Sequence, residues 1–310
     1  MNNFLNISDL SSQELKKIIE DAKIRKSKRK ELNKSAADFD QPFAGKSMVM
    51  IFEKPSTRTR ISFDIAVKQL GGSSIILNPD GIHYGKGDES IKDTAKVFSE
   101  YADIVMIRTS SHKNLEDLAK YSDIPVINGL SELSHPCQIM SDILTFEELK
   151  GSIEGKTIAW LGDGNNNMSN SFIAAAAKFN FKLNIGCPDK YKPNKKVLDW
   201  AKKNKANISI NKNPVEAVKN ADCIMTDKWI SMNDKVDKNK KKKILKGYQV
   251  NKKLMKLTKT DAIFMHCLPV SRGDEVTDEI IDGKQSVVWT QALNRVHAQK
   301  SIINWCLGLG

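Results

Sequence analysis

The sequence predicts an α/β protein of two lobes, each a mainly parallel sheet with helices on both faces, and a cleft between the lobes. Three observations predict it. Short apolar runs alternate with segments of helical periodicity along almost the whole chain. The runs are continuously apolar rather than alternating, as befits strands buried on both faces. The same grammar is written twice within 310 residues, a length that suits about two domains.

In the first lobe, Leu15, Ile18, Ile19 and Ala22 mark a helix over 11–30. Ser47–Phe52, bounded by Gly45 and Pro55, is a buried strand, and a helix opens at Ser56 and stops at Gly71-Gly72. Strand 74–77, helix 91–101, strand 104–107, helix 115–121 and strand 125–128 follow. A helix over 139–150 connects the lobes, so the first domain is expected over 1–138 and the second over 151–293. The second lobe runs strand 157–161, helix 168–179, strand 182–186, helix 194–204, strand 208–210 and helix 215–219. Strands 223–226, 263–266 and 286–289 come next, and a last helix over 294–310 is expected to pack back on the first domain.

Composition narrows the function classes. No apolar stretch approaches the ~18 residues of a membrane span, and the first residues lack the basic and apolar segments of a secretory signal. Five cysteines without a CxxC pair argue against a disulfide framework and for a reducing cytoplasm. The net charge of +12 attracts anions. Seven of the 49 basic residues are arginines, so Lys is the generic cation here and an Arg suggests a need for a planar fork. Arg25 and Arg29 lie in a basic run over 23–34 and are set aside as surface residues; of the other five, Arg58, Arg60, Arg108 and Arg295 direct the search. The run 23–34 and the lysine-rich run 235–243 read as solvated faces, since the latter lacks the interleaved aromatics that stack on bases. Neither nucleic acid nor membrane is expected as a partner.

The chemistry is concentrated where the first strand ends, in Glu53-Lys54-Pro55-Ser56-Thr57-Arg58-Thr59-Arg60. A helix start offers unpaired N–H groups and the positive end of a dipole; hydroxyls and guanidiniums there make a site for a phosphate or similar oxyanion. The bland alternative is an ordinary N-cap, with Ser56 capping and the rest facing water. Further strings follow: Arg108 at a strand end, His135-Pro136-Cys137-Gln138, Gly162-Asp163-Gly164-Asn165-Asn166-Asn167, Asp227-Lys228-Trp229-Ile230-Ser231-Met232, His266-Cys267-Leu268-Pro269 and Asn294-Arg295.

These strings, in this order, resemble the aspartate/ornithine carbamoyltransferase family, most closely its ornithine branch. The resemblance implies transfer of the carbamoyl group of carbamoyl phosphate to the δ-amine of L-ornithine, giving citrulline and phosphate, a step of arginine biosynthesis. It implies that Ser56, Thr57, Arg58 and Thr59 hold the phosphate, and that Arg58, Thr59, Arg108, His135 and Arg295 surround the carbonyl or leaving oxygen. Gln138 and the main-chain carbonyls of Cys267 and Leu268 would take the carbamoyl NH₂. Asp227 would pair with the ornithine α-ammonium and Asn166 with its α-carboxylate, assisted by Ser231 and Met232. The Cys267 thiol would sit beside the attacking amine without becoming a covalent nucleophile. No cofactor or metal is implied. A homotrimer, or a multiple of it, is implied, with His83 reaching carbamoyl phosphate in a neighbouring subunit's site.

Two departures from the family's pattern are Asn233, where Gly is common, and His83, often Gln in bacterial relatives. Putrescine or an N-acylornithine stays open as acceptor. From another class, Gly162-x-Gly164 after a strand is the beginning of a dinucleotide fingerprint and suggests an NAD(P)-dependent oxidoreductase. Asn167 replaces its third glycine, and that reading leaves the other strings unexplained.

Overall fold

The computed structural model describes residues 2–78, 89–230 and 236–309. The expectations for His83, Ser231, Met232 and Asn233 lie outside the described residues. The chain divides into two compact units, one of Met1–Leu144 with Leu293–Gly310, the other of Thr145–Ala292.

In the first unit, strands β1 (Ser47–Phe52), β2 (Ser73–Leu77), β3 (Ile104–Arg108) and β4 (Val126–Leu130) form a parallel sheet in the order β2-β1-β3-β4. Helices α1 (Ser12–Ser27), α2 (Thr57–Gln69), α3 (Ile91–Tyr101) and α4 (His112–Tyr121) accompany it, and α5 (Pro136–Lys150) begins in this unit. Val49, Ile51, Val105, Ile107 and Val126 pack with Phe98, Leu115 and Leu118 of α3 and α4, which buries one sheet face. Central β1 and β3 are buried along nearly their whole length, whereas edge strand β2 is part-exposed. At the opposite edge, Phe4 adds a parallel bridge to Ile127 of β4, and its ring meets Trp305 edge-on at 6.1 Å. That edge is thereby withdrawn from stray pairing.

The second unit repeats the plan. Strands β5 (Thr157–Leu161), β6 (Lys182–Gly186), β7 (Ile208–Asn211), β8 (Cys223–Thr226) and β9 (Ile263–His266) are all parallel, in the order β7-β6-β5-β8-β9. Helices α6 (Asn167–Phe179), α7 (Lys195–Lys203), α8 (Pro214–Val218), α9 (Lys238–Leu245), α10 (Lys252–Met255) and α11 (Asp278–Ile281) connect them. Helix α12 (Val288–Leu307) carries the chain back into the first unit.

Strand order decides where chemistry can sit. In each sheet the chain runs outward one way and then resumes on the other side of its first strand, between β1 and β3 in one sheet and between β5 and β8 in the other. Loops diverge at such a switch point and leave a crevice beyond the carboxyl ends of the two strands. Ser56–Thr59 follow β1, Arg108 ends β3, Gly162–Asn166 follow β5 and Asp227 follows β8.

Two sequence expectations need correction. Ser286–Trp289 is no strand: Ser286 makes one bridge to Phe264, and α12 then begins at Val288, six residues before the expected start. Branched residues start the pairing, but Thr290-Gln291-Ala292-Leu293 favour a helix and leave Trp289 exposed. Nor are the basic runs wholly solvated. Arg25 and Arg29 are buried, Arg29 donates to Asp38 at 2.5 Å, and the fully buried Lys300 of α12 donates to the same carboxylate at 2.9 Å. His297, one turn earlier, is held neutral by burial and by Lys300, Lys26 and Arg29, which push its pKa down to about 3.

Removing one partner of a buried cluster strands the other charges in a dry place. Asp38→Ala is therefore expected to cost about 3–5 kcal/mol, read as a lowered denaturation midpoint. Asp40→Ala, at a half-exposed partner of Arg25, is expected to cost below ~1 kcal/mol. Equal losses in the two variants would contradict the burial argument.

Candidate active site

In the first unit the junction of β1 and α2 brings hydroxyl and guanidinium side chains to a helix start. Ser56 holds the N-cap position in extended conformation, yet its side chain makes no capping bond, so the ordinary cap reading is not realised. Thr57 is exposed, Ser56 and Arg58 are half-buried, and Thr59 is buried. The carbonyl of Arg108 accepts the Glu53 N–H at 3.0 Å. The Glu53 carboxylate accepts the Thr109 hydroxyl at 2.7 Å and the Ser110 N–H at 3.2 Å. These bonds fasten the two strand ends beside each other.

Thr59 is where distant segments meet. Its hydroxyl oxygen accepts from Arg108 Nη1 at 3.3 Å and from Arg295 Nη2 at 3.1 Å, contacts that span 49 and 236 residues of sequence. A hydroxyl has two lone pairs and one proton. With two guanidiniums on the oxygen, the proton is directed to a third group. Arg295 Nη1 also donates to Gln138 Oε1 at 2.8 Å, and Gln138 Nε2 donates to the fully buried Asp142 at 2.8 Å. Both ends of the Gln138 amide are therefore fixed.

His135 immediately precedes Pro136, which opens α5. It is buried, and burial together with the positive charges of Arg295, Arg108 and Arg58 holds its pKa well below the ordinary imidazole value. The ring is neutral at physiological pH and is a donor without charge. Arg60 turns elsewhere: it donates to Asn78 at 2.6 Å and lies over the Phe52 ring at 4.9 Å. Cys137 is inert, its thiol buried against the Asn128 carbonyl and its pKa pushed up to about 12 by burial.

The second unit gathers its own set at the β5–β8 crevice. Asn166 caps α6, its Oδ1 accepting the Ser169 N–H at 2.8 Å, so the amide oxygen is committed to the helix start. The glycines before it serve the turn: Gly162 has φ 119°, and a Cβ on Gly164 would lie 2.8 Å from the Tyr191 carbonyl. Asp227 Oδ1 accepts the Lys228 N–H at 2.7 Å and the Cys267 thiol at 2.9 Å. Asp227, His266 and Cys267 bring potential metal-ligand atoms within 4.8 Å of one another. Each is already engaged within the protein, His266 Nδ1 by the Leu268 N–H at 2.8 Å. Leu268 takes a left-handed φ of 57°. The buried Glu275 lies 3.3 Å from His266 Nε2.

Sequence reasoning missed Glu53, Asp142 and Glu275. Asp142 had a local signal, being four residues after Gln138 on one helix face. Glu53 and Glu275 meet partners that only the fold supplies.

Guanidinium and hydroxyl groups gathered at a strand end of one parallel sheet, and Asn166, Asp227 and Cys267 at the strand ends of the other, give each unit its own polar set. Residues 2–148 match the family model described as the aspartate/ornithine carbamoyltransferase carbamoyl-P binding domain, and residues 154–306 match the Asp/Orn binding domain of the same family. An ornithine carbamoyltransferase of Rhodopseudomonas palustris is 53% identical over 305 residues, covering 98% of this chain and 96% of that protein. One from Nitrobacter winogradskyi is 51% identical over 307 residues, covering 99% and 97%. The solved ornithine carbamoyltransferase of Pyrococcus furiosus superposes with a TM-score of 0.92 at 43% identity, covering 99% of this chain and 97% of that one. The chain belongs to the aspartate/ornithine carbamoyltransferase family. The oxidoreductase alternative falls away with this membership, and the Gly162-x-Gly164 turn is explained by the positive φ of Gly162 and the packing of Tyr191 on Gly164.

His135 is expected to stay neutral through the range in which a free imidazole titrates, seen as an imidazole resonance that does not shift there. The unfolded chain takes up that proton near pH ~6.5 whereas the folded chain does not, so thermal stability is expected to fall as pH drops below ~6.5. A titration midpoint near ~6.5 would contradict the buried, positive setting.

Proposed function

We propose that the chain transfers the carbamoyl group of carbamoyl phosphate to the δ-amine of L-ornithine, forming citrulline and inorganic phosphate. The observation that carries the reading is the double guanidinium contact on Thr59 at a helix start, within the part of the chain that matches the carbamoyl-P binding domain. The first-turn N–H groups of α2, with Ser56, Thr57, Arg58 and Thr59, take the phosphate. Arg108, Arg295 and the neutral His135 stabilise the negative charge that grows on the carbonyl oxygen as the amine attacks and on the phosphate as it leaves. Preorganisation matters most here: donors fixed before reaction need no rearrangement when charge develops.

Asn166 and Asp227 take the two charged groups of the amino acid. The NH₂ of Asn166 donates to the α-carboxylate, and Asp227 accepts from the α-ammonium. A carboxylate there disfavours aspartate as acceptor. Ser231 and Met232 belong to the same proposed subsite, and His83 to the carbamoyl-phosphate site of a neighbouring subunit. A homotrimer is proposed with it, supported by the exposed Ile61 of α2 and Ile75 of edge strand β2. No helix among the described residues is long and apolar enough to cross a membrane, and the five cysteines are free thiols, which suits a reducing cytoplasm.

Citrulline formation measured in parallel with ornithine, putrescine, N-acetylornithine and aspartate tests the reading. Ornithine is expected to be preferred, and absence of any carbamoylated product would remove it. Arg58→Lys is expected to lower the rate by about 10²–10³, because an ammonium keeps the charge but loses the fork. Near-normal turnover would show Arg58 to be a bystander. Rate is expected to rise with pH through the alkaline range as bound ornithine loses its δ-proton, without a limb from His135 near neutrality; a neutral limb that disappears in His135→Asn would overturn that assignment.

A further inference from the structure

The lysine-rich run 235–243 has no part in the reaction proposed above, yet one of its members is not a surface residue. In α9, Lys238, Lys240 and Lys243 are exposed, whereas Lys241 is 3% exposed. Its Nζ lies 2.6 Å from Asp163 Oδ2 and 5.2 Å from the centroid of the Tyr191 ring. Asp163 is buried in turn and belongs to the turn that leads to Asn166.

Asp163 is bonded on several sides. Its Oδ1 accepts the Asn165 N–H at 2.8 Å, and its main-chain carbonyl accepts Trp160 Nε1–H at 2.9 Å. The next residue, Gly164, donates its N–H to the Tyr191 carbonyl at 2.9 Å. Lys241 therefore touches the Asp163 carboxylate of the turn and the ring of Tyr191, the residue whose carbonyl the turn is bonded to. A buried ion pair is weak evidence for stability, since desolvating both ions costs about as much as their attraction returns. Its better-attested use is to fix one arrangement among several.

We propose that Lys241 is a positioning residue for acceptor recognition: through Asp163 it holds the turn 162–166 so that Asn166 presents its amide to the amino acid. The inference deepens the proposed function and rests on its assignment of Asn166 to the acceptor. It requires no contact between Lys241 and any substrate. Lysine suits the place because one compact charge must meet one carboxylate oxygen beside an aromatic face.

The test compares the intact enzyme with Lys241→Met, Lys241→Arg and the double variant Asp163→Asn/Lys241→Met. KM for ornithine and for carbamoyl phosphate are measured separately, and amide exchange is followed at Gly164 and Asn165. Lys241→Met is expected to raise the ornithine KM about tenfold, the scale of one lost charge-assisted contact, and to leave the carbamoyl-phosphate KM within about twofold. Lys241→Arg is expected to restore part of the loss, and amide exchange at Asn165 is expected to quicken in Lys241→Met and in the double variant. The double variant leaves no lone buried charge, so it keeps the test readable if the single variant does not fold; a raised ornithine KM is expected there too. An unchanged ornithine KM, or equal rises in both KM values, would overturn the proposal and leave a purely structural pair. If the wild-type chain forms no citrulline, the functional reading fails, and unchanged exchange at Asn165 then refutes the positioning role on its own.

Discussion

Two guanidinium groups end on one threonine hydroxyl, and the rest of the first unit is arranged to make that possible. Arg108 arrives because β3 lies directly beside β1, with Phe52 and Arg108 in register at the carboxyl ends. Arg295 arrives on α12 and is steadied by Gln138, itself anchored by Asp142. Thr59 accepts from both and keeps one proton to give. The state of its neighbour follows as well: burial, together with the charges of three arginines, holds the His135 pKa well below the ordinary imidazole value. The histidine is then a neutral donor rather than a cation, which suits a site meant to receive negative charge without competing for it.

The second unit reaches a related end by different means. Its polar groups at the strand ends are held by bonds within the protein: Asp163 ties the turn before Asn166, and Cys267 and Lys228 share Asp227. Both units bury a carboxylate that organises cations, Asp38 for the nearby Arg25 and Arg29 and the distant Lys300, and Asp163 for the distant Lys241. Such charges are costly to desolvate and are kept where their geometry matters.

The parallel α/β plan was legible because strands buried on both faces write continuous apolar runs. The site strings were legible because each sits at a strand end or a helix start, where local sequence already implies unpaired N–H groups. Strand order was not, since nothing in β1 or β3 states that they are neighbours. Arg25, Arg29 and Lys241 looked solvated for the same reason: their carboxylate partners come from the fold, and a basic run looks alike whether or not one member turns inward. Ser286–Trp289 misled because its branched residues do start to pair with β9, and only the following residues turn the chain into a helix. Asp142 alone among the missed groups announced itself locally, one helical turn after Gln138.

The central claim is that the guanidiniums converging on Thr59 make a preorganised receptor for a phosphorylated carbonyl compound. Calorimetric titration with a non-hydrolysable phosphonate isostere of carbamoyl phosphate, with no acceptor present, addresses it most directly. The account expects one molecule bound per chain, with affinity reduced at least about tenfold in Arg295→Met, the loss of one charge-assisted fork. Binding of equal strength in that variant, or no binding to the wild-type chain, would contradict it.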